Sequence, residues 1–306
     1  MYDGFYSLNK KPFQLNPDSD FFFNSEIHRR ALTYMNYGLT QGEGFIVITG
    51  KPGTGKTMLV KQLVNSLDKN KITLGIMVSS QVGADELLKV IAATFRLPYE
   101  GEDKAVLLTR IERFFIDQSM IGKRVLMIVD EAQNLPKESL EELRMLSNFE
   151  MSGKPLFQTF LIGQKQLGET LFLPEMEQLR QRIVATCQLK PLDEGETKSY
   201  ILFRLQKAGW QHMPQFEEDV FAVICGYTEG IPRKINALCN RVLLFGYLEE
   251  LQLINLDVIH QVIADIEDDS SDDFHDNSET SSGPLEQRVA ALEQIVATLR
   301  QALARH

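Results

Sequence analysis

Strands alternating with helices from residue 45 to 189, then helices alone from Asp193, predict an α/β fold: a parallel sheet flanked by helices, followed by a small all-α unit. Three observations carry this. Phe45–Thr49 and Arg124–Val129 are nearly unbroken apolar runs, the pattern of strands buried on both faces. Ile72–Val78, Leu156–Gly163 and Val184–Leu189 read as further strands. Between them, apolar residues recur at helical spacing, as in Leu87, Leu88, Ile91, Ala92 and Phe95.

Composition narrows the function classes. The 306 residues, 43% of them hydrophobic, can fill a packed core and suggest about two domains. The net charge of −10 is uneven, because Asp265 to Glu279 hold eight acids and no Lys or Arg. The rest of the chain is close to neutral, so no nucleic-acid surface is expected. Cys187, Cys225 and Cys239 form no C-x-x-C pair and sit among apolar residues, as buried reduced thiols of a cytosolic protein do. Met1–Tyr6 has neither the basic nor the apolar region of a signal peptide. No run approaches the ~18 to 20 apolar residues of a membrane-spanning helix. A cytoplasmic protein is expected, peripheral at a membrane only through a partner.

The residues before the first strand carry loop chemistry at Leu8–Phe13 and Asn16–Asp18. Ser25 is placed to cap a helix with Ile27, Ala31, Leu32, Met35 and Leu39 on its apolar side, ended by Gly42-Glu43-Gly44. Phe13 or the Phe21-Phe22-Phe23 cluster can pack beside a bound base or staple this helix, and both readings stay open. Gly50-Lys51-Pro52-Gly53-Thr54-Gly55-Lys56-Thr57 then reads G-x-x-x-x-G-K-T, between the Phe45 strand and a helix that continues through Met58. Strand, glycine loop and helix are the context this phosphate-binding motif requires. Its glycines let backbone N–H groups cradle phosphates, the helix N-terminus adds partial positive charge, Lys56 reaches the terminal phosphates, and the Thr57 hydroxyl is a Mg²⁺ ligand.

The Arg124 strand ends in Asp130-Glu131, about seventy residues beyond that loop. Asp130 is placed to hold Mg²⁺ through its water shell, and Glu131 to polarise the attacking water. Leu135-Pro136 starts a helix bearing Leu140, Leu143, Leu146 and Phe149. Gln164 follows the Leu156 strand, where it senses the γ-phosphate or positions water, or simply opens the next helix. Leu179-Arg180-Gln181-Arg182-Ile183 precedes the last strand.

Helices are then expected at 194–208, 216–225 and Pro232 to about Leu248, with a fourth capped by Asn255. Arg233 lies in the first turn of the third, where a cation opposes the helix dipole. It either contacts a phosphate across the cleft or is a surface arginine. Residues 265–283 read as an acidic, Ser-rich, disordered linker. From Pro284, Leu285, Val289, Leu292, Val296, Leu299 and Leu303 form an a/d seam in 284–306. A helix so short is marginal alone, so it pairs with another copy or a partner, or is a frayed tail. The expected units are therefore 1–192, 193–264, 265–283 and 284–306.

The ordered set Gly50–Thr57, Asp130-Glu131, Gln164, Leu179–Ile183 and Gly230-Ile231-Pro232-Arg233 resembles the AAA+ ATPases of the general secretion pathway protein A type. The opening Phe5–Leu8, Pro12-Phe13, Pro17-Asp18 and Gly42–Phe45 is most similar to the secretion ATPases found beside exosortase (PEP-CTERM) and exopolysaccharide loci. The likeness covers about residues 1 to 263. It implies a P-loop NTPase sheet with a helical lid, ATP and Mg²⁺ as cofactors, and ATP hydrolysis between subunits of a homo-oligomer. It implies Gln164 as sensor 1 and Arg233 as sensor 2, with Arg182, or else Arg180, as the arginine finger given to a neighbour. It further implies an inner-membrane protein partner. The periplasmic peptidoglycan-binding domain and membrane segment of some relatives are not expected, and the acidic stretch and heptads depart from them. The competing reading is a DNA-binding AAA+ protein of the transposition or replication-initiator type, against which stand the neutral body and the lack of a Lys/Arg run. A scaffold gated by nucleotide with little hydrolysis is a third, opposed by the intact Asp130-Glu131 pair.

Overall fold

The computed structural model describes residues 2–16, 18–78 and 82–279. Five strands form one parallel sheet: β1 (Phe45–Gly50), β2 (Ile72–Val78), β3 (Arg124–Asp130), β4 (Phe157–Gly163) and β5 (Ile183–Leu189), in the order β2-β3-β4-β1-β5. The order follows from burial. β1, β3 and β4 are buried almost throughout, while β2 and β5 have exposed positions and take the edges.

Helices cover both faces. On one, α1 (Glu26–Gln41) and α2 (Lys56–Ser66) place Ala31, Met35, Leu59 and Leu63 against Ile46, Ile48, Ile128 and Phe160. On the other, α3 (Ala84–Thr94), α4 (Lys104–Met120) and α5 (Lys137–Leu146) bring Leu88, Ile91, Ile111, Phe115 and Leu143 onto Val47, Met127, Val129 and Leu161. The side chains of one strand alternate between these two cores, as the pleat requires. The expected caps form: Ser25 Oγ accepts the His28 N–H at 3.4 Å, and Gly42 closes α1 at φ +76°. Two short helices, α6 (Lys165–Leu171) and α7 (Glu177–Arg180), join β4 to β5.

The helices α8 (Glu194–Lys207), α9 (Val220–Thr228), α10 (Pro232–Leu248) and α11 (Leu256–Glu279) follow. The helix expected at 216–225 starts instead at Val220. Gln215-Phe216 pair in parallel with Leu253-Ile254, so their backbone is committed to a bridge. The linker expected from 265 is also corrected over its described part, because α11 continues helically to Glu279. A helix seated by Ile259 and Val262 extends at low cost per residue, and Arg241 pairs with Asp269 at 2.8 Å. Residues 280–283 and the heptads lie outside the described residues.

The opening of the chain differs most from expectation. Tyr2, Tyr6, Leu8, Phe13 and Phe21 are buried with Tyr200, Leu205, Leu238 and Leu243, in the helical core and not in the sheet's. Tyr2 Oη donates to Asn240 Oδ1 at 2.7 Å, and Tyr6 Oη to the Leu251 carbonyl at 3.0 Å. The unit expected over 1–192 is thus crossed by its own first residues, which return to the helices. Apolar burial decides this, since these five large side chains have no place left on the filled sheet faces.

Candidate nucleotide site

Parallel strands all end on one edge of a sheet, where open α/β folds bind ligands. Thr49 pairs with Gly163, and Val129 with Leu161. Gly50, Asp130 and Gln164, each just beyond or at its strand's end, are thereby brought side by side. A cavity of about 390 Å³ opens between this edge and the helical unit, within the range of small-ligand pockets.

The phosphate end is built by the loop 50–57. Gly53 and Gly55 hold φ +83° and +97°, where a side chain would be strained. Lys56 is 6% exposed, and its Nζ donates to the Gly50 carbonyl at 2.9 Å and the Lys51 carbonyl at 3.2 Å. Burial lowers its pKa, against the attraction of Glu131 and Asp130. Thr57 Oγ1 lies 3.4 Å from Asp130 Oδ2, so a hydroxyl and a carboxylate converge at the start of α2. Burial raises the Asp130 pKa, while its Oδ1 accepts the Glu131 N–H at 2.9 Å. Two hard oxygens at a phosphate loop fit a divalent cation that is itself bound to phosphate.

Glu131 stands at φ +53°, a left-handed backbone that a non-glycine residue seldom takes. The sharp turn lifts its carboxylate off the end of β3 to line the cavity. Its Oε2 accepts from Gln133 Nε2 at 2.6 Å and from Gln164 Nε2 at 3.4 Å, and Gln133 Oε1 accepts the Gln164 N–H at 2.9 Å. Gln133 is therefore the clamp that joins the ends of β3 and β4. It was missed in the sequence, although its place two residues after Glu131 was a usable signal.

His28 was also missed. It lies beneath the loop, 4% exposed, with Nε2 3.1 Å from the Thr54 carbonyl and Nδ1 2.7 Å from Ser25 Oγ. A carbonyl only accepts, so Nε2 carries the proton and Nδ1 takes the serine hydroxyl. Burial lowers the His28 pKa and favours this neutral form. A side chain on Gly55 would meet Nε2 at 2.8 Å, which gives that glycine a second reason.

The far wall is helical. The Arg233 N–H donates to the Gly53 carbonyl at 3.2 Å, and Arg233 lines the cavity, so the first turn of α10 rests on the phosphate loop. Lys51 and Lys234 both pair with Glu229, at 2.7 and 2.6 Å, and hold its pKa down at about 2. Phe21, Phe22 and Phe23 line the cavity with Tyr200, Arg204 and Asn236. Phe13 does not line it; at 1% exposure it belongs to the helical core. Arg182 and Arg180 also lie away from this cavity. Arg182 Nη1 donates to the Ser147 carbonyl and hydroxyl at 3.1 and 3.0 Å. Arg180 lies over the Phe172 ring at 6.0 Å, and that ring is 77% exposed. Met58 lines the cavity beside Thr57.

Residues 39–171 match the family described as "AAA domain". The chain is 37% identical over 248 residues to the General secretion pathway protein A of Aeromonas hydrophila, across 81% of this chain and 45% of that protein. It thus spans less than half the length of that relative. Among solved structures it is similar to Cdc6p from Pyrobaculum aerophilum, with TM-score 0.62 and 15% identity over 85% of this chain and 70% of that one. It is also similar to the Aeropyrum pernix ORC1 protein in complex with DNA, with TM-score 0.59 and 15% identity over 92% and 75%. At these identities the two structures establish the fold, a parallel-sheet P-loop NTPase. The AAA match and the relationship to P-loop ATPases support nucleotide binding and ATP hydrolysis. Among the described residues, no helix is long and apolar enough to cross a membrane.

Proposed function

We propose that this chain is a Mg²⁺-ATP-hydrolysing motor or switch that drives assembly in a secretion or exopolysaccharide-export system, at the inner membrane through a protein partner. The observation that carries the pathway is the 37% identity to a general secretion protein over 248 residues. The exosortase-linked form of this role rests on the likeness of the opening Phe5–Leu8 and Gly42–Phe45 segments alone.

In this reading the phosphate loop and the N-terminus of α2 bind the triphosphate. Thr57 and Asp130 would hold Mg²⁺, which offsets phosphoryl charge when bound. Lys56 neutralises the terminal phosphates from within the loop. Glu131 orients the attacking water, and its carboxylate is steered by Gln133 and Gln164. Gln164, bonded to that carboxylate, links the γ-phosphate position to the end of β4. Arg233 reads the phosphates from the helical side, and its turn is already bonded to Gly53. Nucleotide state thereby biases the angle of the helical unit, a change a partner can feel. Arg182, or else Arg180, serves a neighbouring subunit's nucleotide. Arg182 must first leave Ser147 to do so.

Light scattering on Glu131→Gln protein, with and without Mg²⁺-ATP, tests the assembly. An ATP-dependent oligomer lost on adding Arg182→Ala or Arg180→Ala supports the shared site and identifies the finger. A monomer with ATP bound removes the inter-subunit mechanism. Capture of an inner-membrane protein only in the ATP-bound state is expected; equal capture without nucleotide would remove the switch. Salt-dependent binding of duplex DNA by the purified chain would instead favour the DNA-binding reading.

A further inference from the structure

The helical wall of the cavity carries an amide whose orientation is dictated by its neighbours. Asn236 lies in α10 one turn beyond Arg233, roughly 4.5 Å further along the helix axis. It is 7% exposed and lines the cavity. Arg204, also buried, has a guanidinium that can only donate. Its Nη1 lies 2.9 Å from Tyr200 Oη, so that oxygen accepts. The single Tyr200 O–H is left to donate, and its acceptor, at 2.9 Å, is Asn236 Oδ1. The opposite amide orientation would aim two donors at Tyr200 Oη and leave the tyrosine proton without an acceptor. The chain of bonds therefore runs one way, from Arg204 through Tyr200 to Asn236.

This polarity turns Asn236 Nδ2 away from Tyr200, and no protein acceptor meets it among the described residues. That nitrogen is not sealed in the protein interior, and Asn236 lines the cavity, so the donor is open to an acceptor on a bound ligand. The far end of the relay is anchored: Arg204 Nε donates to the Pro12 carbonyl at 2.5 Å, and its guanidinium covers the Phe21 ring at 4.9 Å. The phosphate loop meets α10 at Arg233, through the Gly53 carbonyl, and Asn236 lines the same cavity one turn further on, bonded to Tyr200, whose ring meets Phe23.

We propose that Asn236 is a specificity-determining residue. Its Nδ2 donates to an acceptor on the nucleoside half of the nucleotide, a ring nitrogen or a ribose oxygen. Tyr200 and Arg204 are the positioning residues that keep the amide in that sense. The inference rests on nucleotide binding in this cavity.

The test is titration calorimetry on the full chain with ATP, with inorganic tripolyphosphate, and with deoxyribose and deaza-base analogues of ATP that each lack one acceptor. Asn236→Ala weakens ATP about tenfold, as loss of one buried hydrogen bond does, and leaves tripolyphosphate unchanged. One analogue binds wild type and variant alike, and that analogue locates the acceptor on base or sugar. Tyr200→Phe frees the amide to turn and loses part of the same discrimination, and the double variant is no weaker than Asn236→Ala. Unchanged ATP affinity in Asn236→Ala, or an equal loss for tripolyphosphate, overturns the proposal. If Asn236→Ala does not fold, Tyr200→Phe decides alone, and undiminished discrimination in it overturns the proposal. Wild-type protein that binds tripolyphosphate but does not prefer ATP also overturns it. Wild-type protein that binds neither overturns the nucleotide site as well.

Discussion

The two ends of the cavity are built by opposite means. At the phosphate end, Gly50 to Thr57 supply loop, cation and hydroxyl from eight consecutive residues, and Asp130-Glu131 join them from β3, with β4 between it and β1. At the opposite end, no two elements are consecutive. Phe21–Phe23 come from the opening segment, Tyr200 and Arg204 from α8, and Asn236 from α10. The first end depends on backbone geometry that a short motif encodes. The second depends on the opening segment folding back onto the helices, with Arg204 bonded to Pro12 across 192 positions. The difference teaches that a phosphate cradle can be encoded locally while the far wall of its cavity is a tertiary property.

The comparison can be broken at several points. Lys56→Ala should abolish nucleotide binding, measured by calorimetry, because the loop loses its buried cation; retained affinity would refute the phosphate-end assignment. Glu131→Gln should keep ATP binding and lower kcat by roughly 10²–10⁴-fold, the usual weight of a general base. Normal turnover would move that role elsewhere.

Gly55→Ala should destabilise the fold by about 1–3 kcal/mol, because it strains a positive φ and drives a methyl into His28. A melting temperature equal to wild type would contradict the geometry at Thr54 and His28.

His28 gives a smaller and pH-dependent effect. Its folded pKa is lowered from the ordinary 6.5 by burial. As pH falls through that ordinary value, the unfolded chain takes up a proton that the folded chain refuses, so stability falls with pH. The full contribution of the neutral ring is present above this window. His28→Gln keeps a donor for Thr54 but has no such titration, so its melting temperature should fall less than wild type between neutral and mildly acidic buffer. Parallel curves would exclude His28 as a source. The smallest effect belongs to the rim: Lys51→Ala breaks an exposed pair with Glu229 and should shift ATP affinity only at low ionic strength. A salt-independent loss would show that Lys51 touches the ligand.

Legibility followed the same division. The five sheet strands and most helices were readable because buried parallel strands are continuous apolar runs and amphipathic helices repeat near 3.6 residues. Ser25 and Asn255 each accept a backbone N–H at a helix start, as their places in the sequence indicated. The misplaced start of α9 and the early end given to α11 share one cause, since both were decided by contacts from other elements. Gln133 left a trace in its position beside Glu131. His28 left none, because a histidine within a helix pattern does not reveal that a loop carbonyl twenty-six residues later will lie on its ring.

By itself the sequence determined the sheet, the phosphate loop and the acidic pair, because their chemistry is carried by backbone conformation and by residues adjacent in the chain. Only the tertiary structure decided which aromatic residues wall the cavity, that Phe13 serves the helical core instead, and which way the Asn236 amide points. Those outcomes come from apolar surfaces competing for the same core and from hydrogen-bond polarity relayed between distant segments, and neither is written in any local spacing.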